Sequence, residues 1–284
     1  MQIWSFIFLF LAACSGEKSP SPPPAAKPLL LVTIAPYQTL VQEIAGDGFD
    51  VQTVVPVNAD PHMYEPTSRQ VTEMQRGQVW FRIGEPFEKK LIPLLAQVKK
   101  HDLREGVAMI EEIHCDHCTE GHGDRHIWLS PKQLSIQAEA IAEQLTQQFP
   151  DQAGEFGRRL VLVQEELADL DRDIQEFLSA ASIRTFLVSH PAFAYFCRDY
   201  GCEQLSIEQE GKDPRPKEIE QIFRTAKSTQ TQLAIALPQH NNKGAQLIAE
   251  QLRIPVRWVD PYAANYEETL RKLAGLIANP YEEE

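Results

Sequence analysis

Four residues whose side chains can bind a metal ion follow predicted strand ends. They are His62, His126, His190 and Asp260. The pattern is clearest at His190, because the β-branched and apolar run from Thr185 to Val188 leads directly into Ser189, His190 and Pro191. Three imidazoles and one carboxylate suit Zn²⁺, and Mn²⁺ or Fe²⁺ accept the same ligands. The residue types therefore predict a divalent-metal site.

Each of these residues also has an ordinary structural interpretation. A histidine after a strand is often a capped loop residue, since polar residues commonly occupy loops. Asp260 precedes Pro261, and an Asp-Pro pair frequently begins a turn. Four such residues at four strand ends are less easily explained by coincidence, which favours the metal site.

A second group of candidate ligands lies in the segment 113–125, which interrupts the pattern of strands and helices. Short tracts of histidine and cysteine are typical of metal binding, and a solvated loop with incidental histidines is the alternative. We expect a mobile loop and possible accessory metal ligands at His114, Cys115, His117, Cys118 and His122.

The cysteines also allow disulfides if the protein is exported. Two close pairs suggest bonds between Cys115 and Cys118 and between Cys197 and Cys202. Four cysteines allow three pairings, and the first pair could bind metal instead, because it stands among histidines. The pair Cys197 and Cys202 lies outside the segment 113–125, so it is the possible disulfide for which metal binding by that segment is not an alternative.

The elements that must position the candidate ligands alternate between strand and helix. Strands are predicted at 29–36, 50–56, 78–84 and 107–112, and again at 184–190, 202–208, 232–238 and 254–260, with helices between them. This order is typical of α/β proteins with parallel sheets and crossover helices. Ligands in such sheets bind at the carboxyl ends of the strands, so two facing lobes would contribute two ligands each.

One long amphipathic helix is predicted between the two groups of strands. The segment 151–181 has no internal proline and carries apolar residues at spacings of three and four. These residues are Phe156, Leu160, Val163, Leu167, Leu170, Ile174 and Phe177. A helix of this length midway through the chain predicts a rigid connection between two lobes.

The beginning of the chain predicts export. Residues 1–13 are too short an apolar run to span a bilayer and fit a signal peptide, although no Lys or Arg precedes the run. Cys14 ends a segment that resembles a bacterial lipoprotein box, and residues 14–28 form a Pro-rich tether. The predicted organisation continues with an amino-terminal lobe at 29–150, the linking helix at 151–181 and a carboxyl-terminal lobe at 182–284.

The net charge of the chain indicates which classes of partner it can bind. A formal net charge of −13 argues against nucleic-acid binding, which requires basic patches. An acidic surface suits a protein that collects cations, and it also serves solubility.

Each candidate ligand stands in a local motif. The motifs are Asp60-Pro61-His62-Met63-Tyr64-Glu65-Pro66-Thr67, His126-Ile127-Trp128-Leu129-Ser130-Pro131, Ser189-His190-Pro191-Ala192-Phe193-Ala194-Tyr195-Phe196 and Val259-Asp260-Pro261. Together these four motifs resemble a known family, the ZnuA/TroA-like zinc and manganese solute-binding proteins of bacterial ABC importers. They occur in the family's order, and the resemblance covers residues 29 to 278.

The resemblance implies a clamp of two β/α lobes with the metal between them, held by His62, His126, His190 and Asp260. It implies a monomer, lipid-anchored through Cys14 in the periplasm or at the cell surface, that delivers its ion to the membrane subunits of an ABC permease. Within the family, a histidine at the position of His190 leans toward zinc, whereas a glutamate there leans toward manganese or iron. Zn²⁺ is therefore the expected cargo, with Mn²⁺ or Fe²⁺ as the alternative.

Two other classes of protein are compatible with part of this pattern. A zinc hydrolase uses three protein ligands and an open position for water, but the sequence has no H-E-x-x-H pair and no nucleophile elbow. A surface adhesin with a structural metal is the second alternative. A site closed by a fourth ligand, Asp260, favours binding over catalysis.

Overall fold

The structure, a computed structural model, describes residues 26–111, 123–179, 181, 184–208 and 214–282. The predicted signal peptide, Cys14 and the five candidate ligands of the segment 113–125 lie outside the described residues. Within the described ranges, no helix is both long enough and apolar enough to cross a membrane.

The amino-terminal half is a four-stranded parallel sheet with crossover helices. Its elements are β1 (Leu29–Val32), α1 (Ala35–Ala45), β2 (Asp50–Thr53), α2 (Ser68–Met74), β3 (Val79–Arg82), α3 (Pro86–Leu91) and β4 (Lys99–Asp102). The strands are arranged in the order β2-β1-β3-β4. The buried central strands β1 and β3 consist mainly of large apolar residues, as expected for strands covered on both faces.

The fourth strand differs from the sequence prediction. A strand was predicted at 107–112 after a helix from Phe87 to Lys99, but α3 ends at Leu91 and β4 pairs with β3 at Lys99–Asp102. Pro93 follows directly, and a proline within a helix removes a hydrogen bond and clashes with the preceding turn. The sequence of β4 is Lys-Lys-His-Asp, so no apolar run marks this edge strand.

The carboxyl-terminal half repeats the same winding. Its elements are β5 (Thr185–Val188), α6 (Ala194–Tyr200), β6 (Glu203–Ser206), α7 (Pro216–Ser228), β7 (Ala234–Ala236), α8 (Lys243–Leu252), β8 (Val256–Trp258) and α9 (Tyr266–Ala278). The order of the parallel strands is β6-β5-β7-β8. Each sheet therefore has its first strand inside the sheet, flanked by its second and third strands.

Two helices connect the sheets. Helix α4 (Pro131–Gln148) begins at Ser130, whose hydroxyl accepts the backbone N–H of Gln133. A short 3₁₀ turn at Pro150–Gln152 leads into α5 (Ala153–Ser179), whose 27 residues extend about 40 Å. The predicted architecture of two parallel β/α lobes joined by a long helix is confirmed.

The apolar stripe of α5 agrees with the sequence except near its end. Its buried residues are Phe156, Val163, Leu167, Leu170, Ile174 and Leu178. Phe177 was assigned to the stripe but is 44% exposed, and Leu178 takes the inward position. The stripe packs α5 against α1, α4 and α9, so the linking helix is part of the core.

The disulfide predicted between Cys197 and Cys202 is not present, because both residues are free thiols. Cys197 is buried on α6, and Cys202 follows the helix end at Gly201. Burial raises the pKa of Cys202 to about 11 and raises that of Cys197 further. Since the thiolate is the reactive form of cysteine, burial disfavours oxidation of this pair.

We expect Glu43 to make stability pH-dependent. It lies on α1 facing α5 and α9, where burial and the charges of Glu166 and Glu267 raise its pKa to about 7. The folded-state pKa is thus above the unfolded one, so the free energy of unfolding falls as pH rises from about 4.5 to about 7 and levels off above. The loss is about 1–2 kcal/mol after allowance for solvent screening.

Urea unfolding across this pH range measures the effect. The substitution Glu43→Gln should flatten the profile and stabilise the protein at alkaline pH, whereas Glu250→Gln, on an exposed part of α8, should leave the profile unchanged. A Glu43→Gln profile identical to wild type would contradict the assignment.

Candidate metal centre

Three of the four predicted ligands meet between the two sheets. The Nε2 atom of His126 lies 3.2 Å from Nε2 of His62 and 3.3 Å from Nε2 of His190. One ligand atom from each of the three rings lies within 4.8 Å of the others. His62 and His126 come from the amino-terminal half and His190 from the carboxyl-terminal half, so the cluster requires both.

Two of the histidines are positioned by the same local device. The carboxylate of Asp60 accepts the backbone N–H of His62 at 2.9 Å, and that of Asp124 accepts the backbone N–H of His126 at 2.8 Å. An aspartate that bonds the backbone two residues later forms a tight local turn. The turn directs the second residue after the aspartate toward the cluster.

The same device occurs at Asp260, which is not among the three converging residues. Its Oδ1 accepts the backbone N–H of Tyr262 at 2.9 Å and the side-chain amide of Gln239 at 2.9 Å. Asp260 therefore corresponds to the turn aspartates Asp60 and Asp124. The residue two positions later, Tyr262, reaches the cluster instead.

The Tyr262 hydroxyl lies 3.3 Å from Nε2 of His62 and 3.4 Å from Nε2 of His126. Burial, followed by the charges of nearby carboxylates, raises the pKa of Tyr262 well above its usual value. The hydroxyl therefore remains protonated and serves as a hydrogen-bonding group beside the imidazoles.

Each of the three histidines contacts a carboxylate through its other ring nitrogen. Nδ1 of His62 lies 3.1 Å from Glu85, Nδ1 of His126 lies 2.7 Å from Asp124, and Nδ1 of His190 lies 3.0 Å from Glu208. An ionised carboxylate only accepts hydrogen bonds, so in each of the three pairs Nδ1 carries the proton. Every neutral ring then has its lone pair on Nε2, facing the other two.

Three lone pairs at these distances are suited to a cation. Tetrahedral coordination at the usual Zn–N distance places two ligand nitrogens about 3.3 Å apart, and the measured separations are 3.2 and 3.3 Å. Carboxylates on the outer nitrogens orient the rings and increase their basicity, as in many zinc sites. The arrangement can hold one divalent ion through three nitrogens.

The electrostatics of His62 and His190 differ. Burial by itself would lower the pKa of His62, but the hydrogen bond and charge of Glu85 outweigh it, so the pKa is raised. Burial also lowers the pKa of His190, and the neighbouring His126 and His62 add to this effect against the opposing Glu208. In the metal-free protein, His62 is therefore protonated before His190 as pH falls.

Several residues of the centre were not found from the sequence. Glu85 lies three residues after β3, Glu208 two residues after β6, and His240 four residues after β7, so each also follows a strand end. That placement was a usable signal, but strand-end carboxylates are common. Of the carboxylates close to His62 in the chain, Asp60 forms the turn, and Glu65 pairs with Lys90.

His240 stacks on His190 with ring centroids 4.0 Å apart and an interplanar angle of 6°. Burial and the three other histidines lower the pKa of His240 to about 2. The ring is therefore neutral at physiological pH.

Comparison with known proteins gives a consistent result. Residues 30–279 match the family described as zinc-uptake complex component A, periplasmic. A putative metal-binding protein of Chlamydia trachomatis is 35% identical over 253 residues, covering 88% of this chain and 90% of the relative.

Two further similarities concern proteins named for zinc. The zinc-binding lipoprotein AdcA of Streptococcus pneumoniae is 30% identical over 225 residues, which cover 75% of this chain and 44% of AdcA. A crystal structure of ZnuA superposes with a TM-score of 0.85 at 32% identity, covering 90% of this chain and all of that one.

Proposed function

This chain belongs to the family of the periplasmic zinc-uptake complex component A, and we propose that it captures Zn²⁺ outside the cytoplasm and delivers it to an ABC importer. His62, His126 and His190 are the proposed ligands. The observation that carries the proposal is the convergence of three Nε2 atoms whose Nδ1 atoms are each held by a carboxylate. The ion is cargo, bound between the two halves until it is passed on.

The donor set favours zinc over manganese or iron. Among the described residues, the group of ligand atoms that converges within 4.8 Å between the two halves consists of the imidazole nitrogens of His62, His126 and His190. Imidazole suits Zn²⁺, whereas Mn²⁺ prefers oxygen ligands. His190, where the manganese-type motif carries a carboxylate, contributes to the same preference.

We propose a carrier and not an enzyme. Three protein ligands with a free position also occur in catalytic zinc sites, so ligand number alone does not separate the two. The side chains of His126 and His190 are only 6% and 9% exposed. The Tyr262 hydroxyl lies beside the Nε2 atoms of His62 and His126. The family is named as a component of an uptake complex, which supports transport.

The remaining assignments concern the cell envelope. We propose that Cys14 carries a lipid that anchors a monomer, and that residues 14–28 tether the folded lobes near the membrane subunits of the permease. The lipoprotein-box resemblance, the Pro-rich composition and the family's periplasmic role support this placement. The accessory role of the segment 113–125 remains a prediction.

Purified wild-type protein should bind one equivalent of Zn²⁺ tightly and prefer it to Mn²⁺. Equilibrium dialysis of apo-protein against both ions, followed by metal analysis, measures stoichiometry and preference. Replacing the three histidines and two cysteines of the segment 113–125 with serine should leave the tight equivalent in place. Displacement of Zn²⁺ by a similar concentration of Mn²⁺ would refute the zinc assignment, and absence of a stoichiometric ion would refute the carrier function.

A further inference from the structure

A second group of metal-binding side chains adjoins the first and shares His190 with it. Ligand atoms of His190, Glu208 and His240 lie within 4.8 Å of one another. Oε2 of Glu208 is 3.0 Å from Nδ1 of His190 and 3.7 Å from Nδ1 of His240. Two imidazoles and one carboxylate form a donor set that divalent zinc, manganese and iron all accept. The rings of His190 and His240 are stacked with an interplanar angle of 6°, so the His240 ring must turn out of this stack before its lone pair and that of His190 point at one ion.

The group belongs entirely to the carboxyl-terminal half. His190, Glu208 and His240 follow β5, β6 and β7, which are neighbours in one sheet. The three-histidine cluster takes two of its three members from the other half. The second group therefore does not depend on the loops that carry His62 and His126.

The loop after β7 places His240 with precision. The side-chain amide of Asn242 donates to the carbonyls of Leu237 and His240, both at 2.8 Å, and its oxygen accepts the backbone N–H of Leu237 at 2.9 Å. The imidazole is 5% exposed, and its Nε2 atom is buried with no hydrogen-bond partner among the described residues. The nitrogen of His240 that lies on the side of Glu208 is the other one, Nδ1.

His190 cannot serve both groups at once, because a neutral imidazole has a single ring lone pair. When Nδ1 carries the proton and donates it to Glu208, the lone pair of Nε2 faces His62 and His126. When the proton is instead on Nε2, the lone pair of Nδ1 faces Glu208, beside His240. The tautomer of His190 therefore selects one group or the other.

We propose that His190, Glu208 and His240 form a second, weaker binding position for the transported divalent ion, occupied as an alternative to the three-histidine cluster. This inference rests on the proposed function. Glu208 is 20% exposed, more than His126 or His190, so the second position offers a partly open carboxylate to an ion that enters or leaves. It gives the carboxyl-terminal half a way to retain the ion after His62 and His126 have released it.

Zinc binding to a variant without the two amino-terminal ligands tests the inference. All proteins are full-length and carry serine at the five histidines and cysteines of the segment 113–125. In this background, His62→Ala/His126→Ala should still bind one equivalent of Zn²⁺, roughly hundredfold or more weakly than the parent. Adding His240→Phe, which keeps an aromatic ring on His190, should weaken this binding at least about tenfold further, and His101→Phe is the matched control.

Glu208→Gln provides a second test that preserves side-chain shape, and it should also weaken residual binding at least about tenfold. Circular dichroism verifies that each variant is folded. Residual binding that is absent, or that is unchanged by both His240→Phe and Glu208→Gln in folded protein, would overturn the second position. If the parent itself bound no stoichiometric zinc, the proposed function would fail as well, so the two failures are distinguishable.

Discussion

Replacing His126 with alanine is expected to weaken zinc binding roughly hundredfold, which corresponds to about 3 kcal/mol of binding free energy. The loss is large because the ligands of a zinc site share its binding free energy. His126 should have the largest effect because its Nε2 lies 3.2 and 3.3 Å from the other two. Removing it also leaves the Asp124 carboxylate buried without its ring partner. Competition with a chromophoric chelator measures the affinity.

The control for this substitution is His101→Ala. His101 lies on β4, outside the cluster of the three converging histidines, so its loss should leave zinc affinity within the error of the wild-type value. Thermal unfolding of metal-free protein separates loss of binding from loss of folding. An affinity for zinc within about threefold of wild type in folded His126→Ala protein would exclude His126 as a ligand.

Acidification from about pH 8 to about pH 5 is expected to release the bound zinc, because ring protons compete with the ion for Nε2. Of His62 and His190, His62 is protonated at the higher pH. Burial would lower its pKa, but the hydrogen bond and charge of Glu85 outweigh burial and raise it, whereas burial lowers the pKa of His190. A raised pKa means that competition begins at a higher pH than for an ordinary histidine. Near neutral pH the affinity should therefore fall about tenfold per pH unit, and more steeply once a second ring is protonated.

The variant Glu85→Gln tests the source of this pH dependence. Without the carboxylate, the pKa of His62 should fall, and the onset of zinc release should move to lower pH. At alkaline pH the same variant should bind zinc about 10- to 100-fold more weakly, since it loses the partner that orients the ring. Chelator competition across the pH range measures both effects, and an onset that is unmoved or moved to higher pH would contradict the role of Glu85.

The deviations from the sequence prediction share a physical origin. Periodicity detects elements through their apolar residues, so it found the buried strands and α5 but missed β4, whose four residues are polar. Local motifs likewise marked Asp260, because a turn aspartate and a ligand aspartate look the same in sequence. The structure shows the turn, through the hydrogen bond from the backbone N–H of Tyr262 to Asp260.

The sequence by itself determined the class of fold, the two lobes with their linking helix, and three of the residues that converge. It could do so because the alternation of strands and helices places strand ends at one edge of a sheet, and His62, His126 and His190 lie in the segments that follow β2, β4 and β5. These features depend on residues close together in the chain.

The tertiary structure alone decided which atoms meet. Glu85, Glu208 and His240 join the centre across separations of 23, 18 and 50 residues from the histidines that they contact. No local pattern encodes such contacts, since they arise from packing one loop against another. That packing sets each histidine's tautomer and brings Tyr262 and His240 beside the cluster.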